Sequence, residues 1–281
     1  MNLTHVGEGK VSLIAGGGKV YTDIAARFTR TEKSLDEIIS TPYDQQLVNN
    51  IVESGHKAAV EFDYFIFGIE GFARVTEVQL VRKRLASFLI KSGRPDKKGK
   101  RSYDVVVPES IMSNRVSIEV PSGNVSVNGK NIIHYLGDTD KEPVINIEFD
   151  TMDILHLLED WYNHGVIAGY KEEELRYLKP QATEFKAIIG MNAHALMDWF
   201  MIRLCKNAQT EIRDLALKMF VLCRKAAPDL FAKAGPSCVV LGYCPENRMQ
   251  NKDCKVIRKD DAIKVLSNLS RAEIASILER K

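Results

Sequence analysis

Arg82, Lys83 and Arg84 stand in a row, with Gln79 before them and Ser92-Gly93-Arg94 seven residues after them. Three consecutive cations repel one another, so the run calls for solvent or an anion to offset the repulsion. Read as one helix over Phe72–Ser92, with Val75, Val78, Leu80, Leu85, Phe88 and Leu89 apolar, the segment sets Gln79 beside Arg82 and Lys83 at spacings of three and four. Arg84 then points elsewhere, toward a second ligand. That arrangement suits two phosphates, and a solvated basic face is the other reading of the same triplet. At Ser92-Gly93-Arg94-Pro95 a hydroxyl, a flexible backbone and a guanidinium meet where the chain turns, which suits bidentate phosphate recognition.

The elements that must position these groups are legible in outline. Val11–Ala15 reads as a short buried strand, Gly16-Gly17-Gly18 as a turn, and Tyr21–Thr29 as a helix with Ile24, Ala25 and Phe28 on one face. Gly16-Gly17-Gly18-Lys19 lacks the glycine offset of a phosphate loop, and Val20 stands where Ser or Thr is required. Helices are expected at Ser34–Ile39 and Tyr43–Ser54, then a strand in which Val60, Phe62, Tyr64 and Ile66 alternate, ending near Gly68. Further on, helices are expected at Ile154–Tyr162, Glu172–Leu178, Ala193–Lys206 and Gln209–Lys225, the last with Ile212, Leu215, Ala216, Met219 and Cys223 inward, and a strand at Phe185–Ile189. Ser270-Arg271-Ala272-Glu273 is a capping box opening a last helix over Arg271–Arg280.

With 281 residues, and 39 Lys and Arg against 37 Asp and Glu, the chain can bury a sizeable core and has no whole-molecule field to draw nucleic acid or membranes. Any anion site must be local. No apolar run approaches a membrane span, and Val11–Ala15 is too brief for the centre of a signal peptide, so a cytoplasmic protein is expected. The five cysteines lack paired C-x-x-C spacing, which argues against a disulfide framework and a zinc site; no metal is expected. Cys205 and Cys223 fall in helical patterns and read as packing residues.

Arg82-Lys83-Arg84, Leu85–Lys91 and Ser92 resemble the signature of the flavin-dependent thymidylate synthases, R-H-R, seven residues and Ser, with Lys in place of His. His56 with Glu61, Ile69–Arg74, and Gln79-Leu80-Val81 fall where that family has its upstream stretch, its strand-to-helix junction and the lead into the motif. Downstream, Asn192-Ala193-His194, Asp198, Arg203 and Ala208–Arg213 resemble a second block in which an arginine precedes A-Q-x-E-I-R, and Arg176 fits an arginine upstream of it. The resemblance implies a homotetramer of α+β subunits, mixing helices with antiparallel sheet, with FAD between chains and the nucleotide stacked on the flavin. It assigns Arg82, Lys83, Arg84, Asn192, His194 and Asp198 to FAD, and Gln79, Arg82, Ser92, Gly93, Arg94, Arg176 and Arg203 to a uracil nucleotide, dUMP or UMP. In this chemistry NADPH reduces FAD, methylenetetrahydrofolate gives its one-carbon unit, and reduced flavin completes the methyl group. Arg203 would polarise the uracil ring, because attack by carbon five needs electron density that a fixed cation favours; an ordinary salt-bridged arginine is the alternative.

Three residues depart from the family pattern: Lys83 for histidine, Ile90 for a glutamate and Pro95 for a common tyrosine. Asp198 stands where asparagine is frequent. Losing the glutamate removes an acceptor and a negative charge from a cationic site, which should shift substrate preference. The expected organisation is a catalytic domain over 1–235, with a β insertion at 113–148 signalled by turns at Ser122-Gly123-Asn124 and Asn128-Gly129-Lys130, and a C-terminal extension over 236–281. Two rival functions follow from the departures: a methylase or hydroxymethylase of another uracil nucleotide such as UMP, and a noncatalytic nucleotide-binding paralogue.

Overall fold

The computed structural model describes residues 1–17, 20–91, 103–121, 125–127, 130–133, 144–268 and 270. Its first half runs β1 (Leu3–His5), β2 (Lys10–Ala15), α1 (Tyr21–Phe28), α2 (Leu35–Ser40), α3 (Gln45–Ser54), β3 (Tyr64–Ala73), α4 (Arg74–Leu80) and β4 (Ser87–Ile90). There follow β5 (Val105–Val107), β6 (Arg115–Pro121), β7 (Val125–Val127), β8 (Lys130–Ile133), β9 (Val144–Asp150), α5 (Thr151–Ile167) and α6 (Glu172–Leu175). The chain closes with β10 (Glu184–Asn192), α7 (Ala193–Arg203), α8 (Thr210–Ala226), α9 (Ser237–Leu241) and α10 (Lys259–Ser267). No described helix is long and apolar enough to cross a membrane. The expected helix over Arg271–Arg280 lies outside the described residues.

Two compact units emerge, one from Met1–Val6 and Ser92–Glu184, the other from Gly7–Lys91 and Phe185–Lys281. This division does not follow the boundary at 235. In the larger unit the sheet order is β2-β3-β10-β4, with β2/β3 and β10/β4 antiparallel, the α+β class expected. Period-two alternation sends Phe65, Phe67 and Ile69 of β3 and Phe185, Ala187, Ile189 and Met191 of β10 to one face, where they are buried in a core with Leu196 and Phe200 of α7. From α8 the predicted inward set, Ile212, Leu215, Ala216, Met219 and Cys223, is buried throughout. Phe231 meets Phe65 edge-on at 5.3 Å between ring centroids, a favoured aromatic geometry.

Several expected elements are corrected. β2 is an edge strand with Lys10, Ser12, Ile14 and Ala15 exposed, not a buried one. The buried face of α1 is Thr22, Asp23 and Ala26, while Phe28 is exposed. Its first turn docks on the carboxylate of Asp63, which accepts from the backbone N–H groups of Tyr21 and Thr22 at 2.8 and 2.9 Å, a tertiary cap at the positive end of a helix. Val60–Phe62 belong to a 3-10 turn, and the strand starts at Tyr64 and runs past Gly68 to Ala73. The helix expected over Phe72–Ser92 ends at Leu80, and Ser87–Ile90 pair with β10 as a strand. The glycine turn holds at Gly16 and Gly17, which take φ of 114° and 79°; Gly18 and Lys19 lie outside the described residues.

In the smaller unit β1 runs parallel to β5, and β6/β9 and β7/β8 are antiparallel, the short strands anticipated for 113–148. Asp150 caps α5 in a reciprocal box with Asp153. The core of this unit is Tyr103, Val105, Val107, Leu155, Tyr162 and Leu175.

Candidate active site

In the larger unit one buried carboxylate joins the two signature blocks. Glu211, in the first turn of α8, accepts the backbone N–H of Ala73 at 2.8 Å and the hydroxyl of Thr76 at 2.6 Å. Both donors belong to the start of α4, so α4 is pinned where β3 ends. Burial raises the carboxyl's pKa, and the two hydrogen bonds oppose the rise.

Pinned there, α4 presents Gln79 to the C-terminal end of α7. Arg203 donates from Nη1 to the Gln79 side-chain oxygen and from Nη2 to the Gln79 backbone oxygen, both at 3.2 Å. The Gln79 amide nitrogen in turn donates to Gln209 at 2.8 Å. The guanidinium is thus held in one orientation without a counter-charge. Burial, and then the neighbouring Arg82, draw its pKa below the ordinary arginine value, though arginine stays protonated. Arg82, Lys83 and Arg84 lie in the turn between α4 and β4, not on a helix face with Gln79. Among the described residues none of these three cations, nor Arg203, forms an ion pair. Two guanidiniums and an amide held together without a carboxylate can take an anion such as a phosphate or a polarised carbonyl.

The N-terminal end of α7 is built differently. Asn192 is its cap, the side-chain oxygen accepting from the Ala195 N–H at 2.7 Å. His194 Nδ1 lies 3.0 Å from Glu61 and Nε2 lies 3.4 Å from Asp198, one helical turn on. Asp198 also accepts from Lys57 at 2.8 Å. Every charged group here has a partner.

The predicted residues therefore separate. Gln79, Arg82 and Arg203 come together; Asn192, His194 and Asp198 gather at the other end of α7. Arg176 sits exposed in a 3-10 turn of the smaller unit, and Ser92, Gly93 and Arg94 lie outside the described residues. Lys57, Gln209 and Glu211 were not anticipated as partners. Gln209 and Glu211 belong to A-Q-x-E-I-R, and the motif does not tell that its Gln and Glu face α4. Lys57 lies inside the stretch from His56 to Glu61, whose pattern marks its two ends and not Lys57.

A profile of the thymidylate synthase complementing protein family, Thy1, matches residues 16–229. The chain belongs to this family. Relatives of the Thy1 chain include the flavin-dependent thymidylate synthase of Nitratidesulfovibrio vulgaris, 35% identical over 199 residues covering 71% of each chain. That of Geobacter sulfurreducens is 31% identical over 229 residues, 80% of this chain and 85% of the relative. That of Sulfurisphaera tokodaii is 30% identical over 257 residues, 89% and 86%. Among solved structures, a UMP/dUMP methylase, PolB, from Streptomyces cacaoi bound with 5-Br dUMP superposes with a TM-score of 0.60 at 19% identity, covering 84% of this chain and 98% of that one. At that identity the superposition speaks for a shared Thy1 fold.

Proposed function

We propose that this flavin-dependent thymidylate synthase methylates dUMP to dTMP, with methylenetetrahydrofolate as one-carbon donor and NADPH as reductant. The observation that carries the reading is Arg203, oriented by two bonds to Gln79, beside Arg82 and without a carboxylate. A fixed guanidinium beside the uracil carbonyl and ring nitrogen stabilises the electron-rich ring from which carbon five attacks, and needs no reorganisation when charge develops. Arg82 is assigned to the nucleotide phosphate. Lys83 and Arg84 have no ion-pair partner among the described residues, and their donors fit the pyrophosphate of FAD; Lys83 acts there as a point charge where the family has an imidazole. FAD, when bound, supplies the hydride that completes the methyl group.

A homotetramer with shared sites accounts for the separation of the two residue sets. α7 is 11 residues long, about 16 Å at about 1.5 Å per residue, and His194 and Arg203 lie about two and a half turns apart on opposite faces. One chain cannot aim both at one ligand, whereas two chains can. Leu85 and Leu89, 68% and 74% exposed, flank the cationic turn with apolar surface of the kind partner subunits cover.

A second reading, action on UMP, is favoured by Ile90. Where the family has a nucleotide- or flavin-binding glutamate, this side chain packs against the main core and offers no acceptor. The noncatalytic alternative is disfavoured, since the relatives are named as synthases. The test is flavin absorbance after incubation with FAD and gel filtration, mass by light scattering, and NADPH oxidation stimulated by dUMP or UMP with product identified. A yellow tetramer forming dTMP from dUMP is expected. A protein that stays colourless, or a monomer that turns over, would overturn the corresponding part.

A further inference from the structure

Arg203 ends α7 and Gln209 caps the start of α8, so the two groups that meet at Gln79 sit at the two ends of one short link, residues 204–208. Their bonds have a fixed polarity. A guanidinium only donates, so Gln79 must turn its side-chain oxygen to Arg203 and its amide nitrogen to Gln209, which must answer with an oxygen. Gln209 makes no capping bond to α8, although it stands where Ser, Thr, Asp or Asn would stabilise the helix. Its side chain serves Gln79 instead. The shape of the link therefore sets whether the guanidinium keeps its aim.

Leu204 and Ala208 pack against the main core, while Lys206 and Asn207 between them are exposed. What reaches this exposed middle from outside is the chain beyond Gly235. The Asn207 amide donates to the Glu246 carboxylate at 3.2 Å and to the Met249 carbonyl at 2.6 Å. Ser237 donates to the Met201 carbonyl at 2.9 Å, in the last turn of α7, whose carbonyls lack helical partners. The clasping segment is itself tied by polar bonds. Gln250 donates to the Cys254 carbonyl at 3.1 Å and to that of Val256 at 2.7 Å, and the Cys244 N–H donates to the Ile257 carbonyl at 2.8 Å. Among the described residues beyond Gly235 only Cys244 is buried, at 7% exposed. A segment that builds so little core contributes by what it holds in place.

We propose that Asn207 is a positioning residue, through which residues 237–259 clasp the 204–208 link and keep Arg203 and Gln209 converged on Gln79. The inference rests on the reading that Arg203 acts on the uracil ring. With the link clasped, the guanidinium is already oriented when charge develops on the ring. Released, the exposed middle of the link moves with solvent and Gln209 withdraws its oxygen. Gln79 is then free to turn its amide, replacing the oxygen that accepts from Arg203 with an NH₂ group that repels it.

The test compares full-length wild type with Asn207→Ala, Gln209→Met, Arg203→Ala and the double variant Asn207→Ala/Arg203→Ala, measuring kcat, nucleotide KM, flavin content and the rate of proteolysis within 237–259. Asn207→Ala should speed that cleavage. Asn207→Ala and Gln209→Met should each lower kcat by up to about a hundredfold, the effect of misplacing a catalytic group by about 1 Å. Nucleotide KM and flavin content should stay near wild type, because Arg82 and the cations assigned to flavin are untouched. With Arg203 already removed, Asn207→Ala should cost no further kcat. Should Asn207→Ala fail to fold, Glu246→Ala removes one of the two acceptors and should move cleavage and kcat in the same directions by less. An unchanged cleavage rate, a wild-type kcat despite faster cleavage, or a loss of kcat that multiplies with that of Arg203→Ala would each overturn the proposal. Normal turnover in Arg203→Ala alone would instead overturn the role of Arg203, and this inference with it.

Discussion

Both ends of α7 gather charged side chains, and they treat them in opposite ways. At the N-terminal end Glu61, His194, Asp198 and Lys57 form a continuous line of contacts. At the C-terminal end Arg203 and Arg82 repel each other, and Gln79 gives only neutral oxygens. A helix C-terminus is worth about 0.3–1 kcal/mol to a cation and so offsets part of that repulsion. The rest is left for a ligand. A cluster satisfied within its own chain tunes and orients, whereas one left with excess charge is built for an anion that comes from outside.

The sharpest way to break this comparison is Arg203→Ala. Removing one preorganised charge from a catalytic site costs about a hundred- to a thousandfold in rate, so product formation should fall by that factor while flavin content, assigned to other cations, stays. Arg203→Lys should recover little, since a compact ammonium cannot present two donors in one plane. Near-normal turnover in the alanine variant would make Arg203 structural and leave the two ends equivalent.

Glu211→Ala should come next, because it loosens the cationic end without touching any cation there. Two buried donors lose their acceptor, each worth about 1–3 kcal/mol, so urea unfolding should report a loss of about 2–6 kcal/mol. The sign with pH is also set. Glu211 has a raised folded pKa, so between the unfolded and folded values the native state holds more protons and stability falls as pH rises. Glu211→Gln should flatten that fall relative to wild type above the ordinary carboxylate range. An unchanged slope would mean the carboxyl ionises as freely folded as unfolded.

The smallest effect is expected at the paired end. Asp198 and Lys57 are 39% and 44% exposed as side chains, and pairs of that kind contribute about 0–1 kcal/mol. Asp198→Ala should therefore change the unfolding free energy by no more than that range while weakening flavin retention on gel filtration. A large stability loss with intact flavin binding would reverse the roles given to the two ends.

Periodicity was a good guide where one face meets one core. The inward set of α8 followed from a 3.6-residue repeat because nothing else competes for that helix. It misled over Phe72–Ser92, where Val75, Val78, Leu85 and Leu89 are all exposed and the apolar spacing fits a helix that the chain does not continue. Pairing of Ser87–Ile90 with Ala187–Gly190 decides that segment, and a partner a hundred residues away leaves no local trace. The same holds for Asp63 capping α1 and Glu211 holding α4: a carboxylate's type is visible in sequence, its distant donors are not. The motif residues were legible as a family pattern, yet which of them share one end of α7 depended on these long-range bonds.

The chain leaves the larger unit after Lys91 and re-enters at Phe185, and these departure and return points lie side by side, the Lys91 N–H donating to the Lys186 carbonyl at 2.8 Å. Doubling the length of a connection costs only about 0.6 kcal/mol of closure entropy. Whatever is spliced between β4 and β10 can therefore grow, shrink or be exchanged while the adjoining strands keep register. Variation in length between the signature blocks is, on this architecture, nearly neutral for the arginine clamp.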